Sequence, residues 1–444
     1  MVETVAEHGY AGASVARVSD RAAVTRRTFY SYFSGREDCF AAAYRGLVIE
    51  ATAVAGTIIR TTCAAERPRV LLEALLSGVA ADPAAARLAF FGVQAAPAGV
   101  RATHEESIRR LERGLARCLR DGWRPEKAPQ LPVTALRGGV ESVVSIRVLR
   151  GEAASVPALC DDLFRWIESY RPLIGAAPLE TRYWDRLADR FLPRWRGPRQ
   201  EPSLLPRGRS ALSAERAAAE RRLRLLEATL RITAERGYAG ATVAEIAAAA
   251  RLNKAAFYSH FHSKQDAFLA AQRLRLEESL AAAASAFYAE REWLNRVWAG
   301  LQALLRYLAE NPHAAVSGLG EAHAAGEEAI RLEHDIRLAF TLFLEEGYRQ
   351  RWALERPPPP ISSEAIAGAN HALIRQQVLF GDPAYLPRLL PQLTYVTVAP
   401  FVGHDAAIAF IETAAAERRV SREAAAVSRG SLGRGQSGLQ AAPG

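Results

Sequence analysis

An all-α chain made of two fused copies of one unit is what the amino-acid sequence predicts, on three observations. Residues 4–43 and 232–271 align without a gap at an offset of 228, with roughly 18 of 40 positions identical. Strand-type alternation is nearly absent, while Ala, Leu, Arg and Glu dominate. Pro and Gly punctuate apolar stripes of three-to-four spacing in both halves.

The 444 residues suit several domains, and their apolar share of 49% suits globular cores. A net charge of +9 favours an anionic partner. Cys39, Cys63, Cys118 and Cys160 form no CxxC pair and read as buried free thiols in a reducing compartment, hence a cytoplasmic protein. No leader pattern and no run of about 18 apolar residues is evident, so no membrane span is expected.

The repeat continues weakly downstream. Asp82-Pro83 answers Asn311-Pro312, and Val148 to Gly151 answers Val378 to Gly381. The expected organisation is a first helix-turn-helix domain over 1–45 with a truncated first helix and a regulatory helical domain over 46–193. A linker follows over 194–218, then a second helix-turn-helix domain over 219–266, a second regulatory domain over 267–416 and a disordered tail over 417–444. The linker is rich in Arg and Pro, which suits either a solvated connector or an arm on DNA phosphates.

In the second copy, Thr242 followed by Glu245 reads as a capping box opening a helix whose inner face is Val243, Ile246, Ala247 and Ala250. Residues 251–253 make a turn, and Asn253 caps a second short helix over 254–261. The equivalent helices of the first copy are 15–22 and 26–33, capped by Ser14 and Thr25. Leu223, Leu226, Leu230 and Ala234 supply the inner stripe of the preceding helix. Two short helices joined by a tight turn form a helix-turn-helix, whose second helix reads the major groove with its early residues.

Those early residues are Thr25, Arg26, Arg27 and Thr28 in copy one, and Asn253, Lys254, Ala255 and Ala256 in copy two. Arg offers two donors to guanine, Asn pairs with adenine, and Ala lets the backbone approach thymine methyls. Tyr30, Tyr258, His260, Arg36 and Lys264 stand where phosphate contacts are plausible. Phe29, Phe33, Phe257 and Phe261 follow four-residue spacing and are expected in the core.

The string GYAGATVAEIAAAARLNKAAFYSHFHSKQDAF resembles the TetR/AcrR regulators, and copy one matches through GYAGASV, TFYSYF and GREDCF. The resemblance covers about 45 residues twice. It implies two fused TetR-like units, each a three-helix DNA-binding domain plus a helical bundle that binds a small apolar ligand, with double-stranded DNA as partner. Two departures stand out. Copy one has no counterpart of Leu223 and Leu226, since Met1 aligns with Thr229. Both turns lack the usual Gly, having Ala23-Val24 and Arg251-Leu252.

No HExxH, Cys/His cluster, phosphate loop or nucleophile elbow is present, so neither an enzyme nor a metal or cofactor is expected. His323 and His334 read as ordinary packed or solvated residues rather than cavity groups. Phe90, Phe91, Trp123, Trp166, Phe287, Trp293, Trp298, Tyr307, Phe340 and Phe343 read as core rather than ligand box. The expected function is a ligand-responsive repressor acting as a one-chain pseudo-dimer, homodimerisation remaining open. In it, 131–150 with 156–174 pack against 361–380 with 384–401. The alternative is a ligand-binding or protein-interaction module that has lost DNA binding.

Overall fold

A computed structural model describes residues 1–96, 98–122, 130–171, 183–191, 214–350, 352 and 357–417. All regular structure among them is helical. The first half runs α1 (Val2–Gly12), α2 (Val15–Arg21), α3 (Arg26–Tyr32), α4 (Arg36–Thr61), α5 (Arg67–Ala81) and α6 (Pro83–Arg87), which continues as one wider turn to Gly92. Then come α7 (Ala98–Gly122), α8 (Val133–Leu149), α9 (Cys160–Glu168) and α10 (Tyr183–Phe191). The second half runs α11 (Ala214–Gly240), α12 (Val243–Ala249), α13 (Lys254–Tyr258), α14 (Lys264–Tyr288), α15 (Trp293–Glu310) and α16 (Pro312–Glu321). It ends with α17 (Glu327–Ala339), α18 (Glu345–Arg349), α19 (Ser362–Phe380), α20 (Leu390–Val402) and α21 over 404–417.

Several expected boundaries move. The second module's first helix begins at Ala214, so 214–218, assigned above to the linker, are helical. The expected linker from 194 to 213, the tail from 418 and Trp123 lie outside the described residues. Cys39, Cys118 and Cys160 are buried free thiols, but Cys63 is exposed. By length and composition α4 is apolar enough to cross a membrane, and its distal half shows Ile49, Val54 and Ile59 at the surface.

One continuous apolar core runs through both regulatory bundles, with Leu76, Val143 and Trp166 from the first and Trp298, Ile366 and Phe401 from the second. Phe287 and Trp293 are buried in it as expected. Full burial of such side chains contributes about 1.5–3 kcal/mol each.

The halves meet along α8 and α19, whose backbones touch where small residues coincide. A Cβ added at Gly138 falls 2.2 Å from Ala372 Cβ and 3.0 Å from the Gly368 carbonyl. A Cβ added at Gly368 falls 2.3 Å from Ser142 Cβ and 2.7 Å from the Gly138 carbonyl. In the downstream register of the repeat, Gly138 corresponds to Gly368 and Ser142 to Ala372. Each half thus presents the same patch to the other, which is the reciprocity of a two-fold contact. Around it, Tyr170 donates to the Val396 carbonyl at 2.7 Å, and Arg147 pairs with Glu364 at 3.2 Å.

Candidate nucleic-acid interface

Both modules fold from local signals. Gly9 (φ 65°) and Gly237 (φ 71°) break α1 and α11 in the left-handed region, which turns Tyr10 and Tyr238 inward. These rings meet Phe40 and Phe268 edge-on, with centroids 5.0 and 5.2 Å apart. Ser14 Oγ accepts from the Arg17 amide at 3.3 Å and opens α2. In module two the capping box is complete. Thr242 Oγ1 accepts from the Glu245 amide at 3.2 Å, and the Thr242 amide donates to Glu245 Oε2 at 3.0 Å.

Thr25 caps α3 by accepting from the Thr28 amide at 3.1 Å, and Asn253 caps α13 by accepting from the Ala256 amide at 2.8 Å. Phe29, Phe257 and Phe261 anchor the inner side as expected. Phe33 is only half-buried. The recognition segment of module two is shorter than expected: α13 ends at Tyr258, and residues 259–261 leave the helix as a turn.

The two residues in place of the usual turn Gly carry the left-handed conformation themselves. Ala23 has φ 52° and Arg251 has φ 56°, the two non-Gly positive values among the described residues. That conformation costs an L-residue about 1–2 kcal/mol.

The outward faces are open. Thr25, Arg26, Arg27, Thr28, Tyr30, Asn253, Lys254, Ala255 and Tyr258 are exposed, and Ala256 and His260 are half-buried. Neither Arg26 nor Arg27 has an ion-pair partner among the described residues, so both guanidinium forks remain available. Burial and the neighbouring charges of Arg221 and Arg222 hold His260 below its ordinary pKa.

Two expected phosphate contacts are engaged elsewhere. Lys264 Nζ donates to the Tyr238 carbonyl at 2.6 Å and the Ala241 carbonyl at 2.8 Å, 4.3 Å from the Tyr238 ring centre. Arg36 does the same in module one. It donates to the Tyr10 and Ala11 carbonyls at 3.4 and 3.2 Å and lies 4.5 Å over the Tyr10 ring. These cations cap the carbonyl ends of the first helices. Sequence reasoning passed over Tyr32, 78% exposed, although it occupies the position of His260 in the repeat.

Beneath the heads, a cavity of about 300 Å³ lies between the two halves. Its lining corrects two expectations. Phe90 and Phe91 face it rather than sitting wholly in the core, and His323 and His334 line it with His104 and His371. Its wall carries five arginines and four glutamates, so it is polar where an apolar pocket was expected. Burial depresses His104, His323 and His334 to pKa values of about 4 and keeps them neutral. Burial pushes Glu333 up, but His371, 2.9 Å away, and the charge of Arg337 overcome it and hold the carboxyl below its ordinary value.

Two helix-turn-helix heads, each with an exposed cation-bearing second helix and a helical bundle behind it, define a DNA-binding transcriptional regulator. The model of the family described as bacterial regulatory proteins, tetR family, matches residues 2–43 and 225–271. The domain that this model describes is thus present twice in the chain. Among curated proteins, no sequence matches it.

Among solved structures it is similar to the fatty acid degradation regulator FadR of Bacillus halodurans. Identity is 17%, covering 40% of this chain and 94% of that one, with TM-score 0.36. It is similar to FadR of Bacillus subtilis in complex with stearoyl-CoA at 14% identity, covering 40% and 98%, with TM-score 0.33. It is also similar to PfmR of Thermus thermophilus at 22% identity, covering 40% and 95%, with TM-score 0.32.

Proposed function

We propose that the chain is a cytoplasmic, ligand-responsive transcriptional repressor that works as a one-chain pseudo-dimer. The reciprocal packing of Gly138 on Ala372 and of Gly368 on Ser142 carries this reading, because each half occupies the place a second subunit would take. Covalent linkage keeps that pairing at high effective concentration. The two recognition helices then enter successive major grooves about 34–36 Å apart. The domain limits are those expected above, with the second head beginning at Ala214.

The heads read different half-sites. Arg26 and Arg27 with Thr25, Thr28 and Tyr30 face one, and Lys254 with Asn253, Ala255, Ala256, Tyr258 and His260 faces the other. Thr242, Arg36 and Lys264 position these groups rather than grip the phosphates. A ligand favouring the arrangement in which the heads are wrongly spaced releases the DNA.

Selection of bound sequences from a random duplex pool tests the reading. The expected consensus is an imperfect palindrome with two distinct arms, bound by one chain. A symmetric consensus, or a complex holding two chains per site, overturns it.

A further inference from the structure

The polar cavity between the halves joins the two heads, and its wall indicates what it binds. On the side of module one, Tyr44 of α4 lies 2.7 Å from His104 Nδ1. The other ring nitrogen of His104 lies 3.2 Å from the Gln94 amide nitrogen. Gln94 Oε1 accepts from Arg375 Nη2 of α19 at 3.3 Å, across the boundary between halves. Arg375 Nε in turn donates to the Leu319 carbonyl of α16 at 2.9 Å. Two further bonds tie α16 to the first helix of module two. Ser317 meets Thr233 at 2.7 Å, and Glu321 accepts from the Tyr238 amide at 2.7 Å. Hydrogen bonds relayed through α16 thus link α4, which follows the first recognition helix, to α11, the first helix of module two.

The directions in this chain are determined. A Gln94 whose oxygen accepts from Arg375 presents its NH2 group to His104, so the facing ring nitrogen accepts. His104 is therefore neutral, with its proton on Nδ1 and donated to Tyr44. Arg375 is the weak point. Arg137 pairs with Glu112 at 3.0 Å and also with Glu141, and Arg337 pairs with Glu333 at 3.3 Å. Arg375 hydrogen-bonds only to neutral acceptors among the described residues, although its charge is felt by the Glu141 carboxylate and by His104, His323 and His371. A planar guanidinium held by one carbonyl and one amide takes a carboxylate in preference to both, through two parallel bonds. With the histidines neutral and Arg109, Arg137 and Arg337 each paired to a glutamate, Arg375 is left without a carboxylate hydrogen-bonded to it. Phe91, Ile146 and Ile330 on the same wall suit an apolar body.

We propose that this cavity binds one small carboxylate with an apolar body per chain. The ligand takes Arg375 from Gln94 and so cuts the hydrogen-bond chain between the heads. The inference rests on the ligand-responsive reading above and adds to it the site, the stoichiometry and the ligand class. A pocket formed by both halves explains why one site serves two heads: its occupant contacts α19 of one half and the α6–α7 connection of the other.

Calorimetric titration of the full chain with benzoate and hexanoate, against benzamide, hexanamide and inorganic phosphate, tests it. The expected result is one carboxylate per chain, with the amides and phosphate at least tenfold weaker. Arg375→Gln weakens the carboxylates at least tenfold. Gln94→Leu retains them, because the competitor for Arg375 is gone, but DNA affinity no longer responds to them. Melting curves report whether each variant is folded, and the Gln94 variant stands independently if Arg375→Gln unfolds.

Amides that bind as well as acids, unchanged binding by folded Arg375→Gln, or no binding by any carboxylate overturns the site. A Gln94 variant whose DNA affinity still responds overturns the coupling. DNA binding without carboxylate is measured in the same samples. A chain that holds DNA but no carboxylate refutes this site and leaves the regulator reading intact, while a chain that holds carboxylate but no DNA does the reverse.

Discussion

In module two, Leu225 and Leu226 of α11 lie under Ile246, Phe257 and Phe261, all within one buried cluster. In module one, the cluster beneath the recognition helix is Val18, Phe29 and Cys39, with Met1, Val15 and Phe33 partly buried around it. The polar clamps differ as well. Arg224 and Arg231 donate to the Ala250 and Ala249 carbonyls at the end of α12. Module one reverses the charges: Arg21 at the end of α2 pairs with Glu3 and Glu7 of α1. Two heads with one backbone plan thus hold their recognition helices by different forces, a deeper apolar anchor in the second and exposed ion pairs in the first. Exposed ion pairs contribute little and weaken with salt.

The largest test of this comparison is truncation of the anchors. Phe261→Ala is expected to cost about 3–5 kcal/mol, and Phe33→Ala, at the equivalent position, under about 2 kcal/mol because Phe33 is already half-exposed. Denaturant melting followed by hydrogen exchange in each head checks it; equal losses break the comparison. Next comes base reading. Arg26→Ala is expected to cost about 1–3 kcal/mol of DNA affinity and to relax preference in one arm of the site only. Lys254→Ala is expected to affect the other arm and lower the salt slope by about one. Repeating the sequence selection with each variant tells the arms apart, and loss on both arms from either change contradicts the assignment.

A smaller effect lies in the turns. Ala23→Gly and Arg251→Gly relieve positive φ and are each expected to stabilise by about 0.5–1 kcal/mol. The second removes a cation near the DNA face, so lower DNA affinity for Arg251→Gly alone marks a phosphate contact there.

The smallest effect is a pH response confined to module two. His260 is held below its ordinary pKa by burial and by Arg221 and Arg222, so the folded head prefers the neutral ring. Its contribution is fully present above pH about 6.5 and is lost as pH falls from there through the lowered value. Its counterpart in module one, Tyr32, carries no imidazole. His260→Tyr is expected to flatten the difference in melting between pH 7 and 5.5; an unchanged difference assigns the response to another group.

Much of the heads was legible because it is written in short-range chemistry. Ser14, Thr25, Thr242 and Asn253 cap their own helices through bonds to residues three positions on. The four-residue spacing of Phe257 and Phe261 places both on one helix side. In the first helix of module two the expected stripe holds at Leu226 and Leu230 but not at its start: Leu223 is 42% exposed, and Leu225, two positions on, carries the burial instead. A leucine-rich helix offers two plausible stripes, and only the surface it meets decides between them.

The roles of Lys264 and Arg36 depend on the fold for a related reason. A long cation beside a helix end satisfies either a phosphate or the helix's own carbonyls, and the choice depends on where Gly237 and Gly9 turn the chain. The cavity was illegible altogether. Tyr44, Gln94, His104, Leu319 and Arg375 are far apart in the chain and follow no spacing rule.

By itself, then, the order of residues determined the helical class, the duplication, and the caps and buried rings of each head, because each depends on neighbours a few positions away. Tertiary structure alone decided which cations stay free, that Gly138 meets its own counterpart Gly368, and that the shared cavity is polar. Those outcomes depend on desolvation and contact between segments hundreds of residues apart, and no local pattern carries that information.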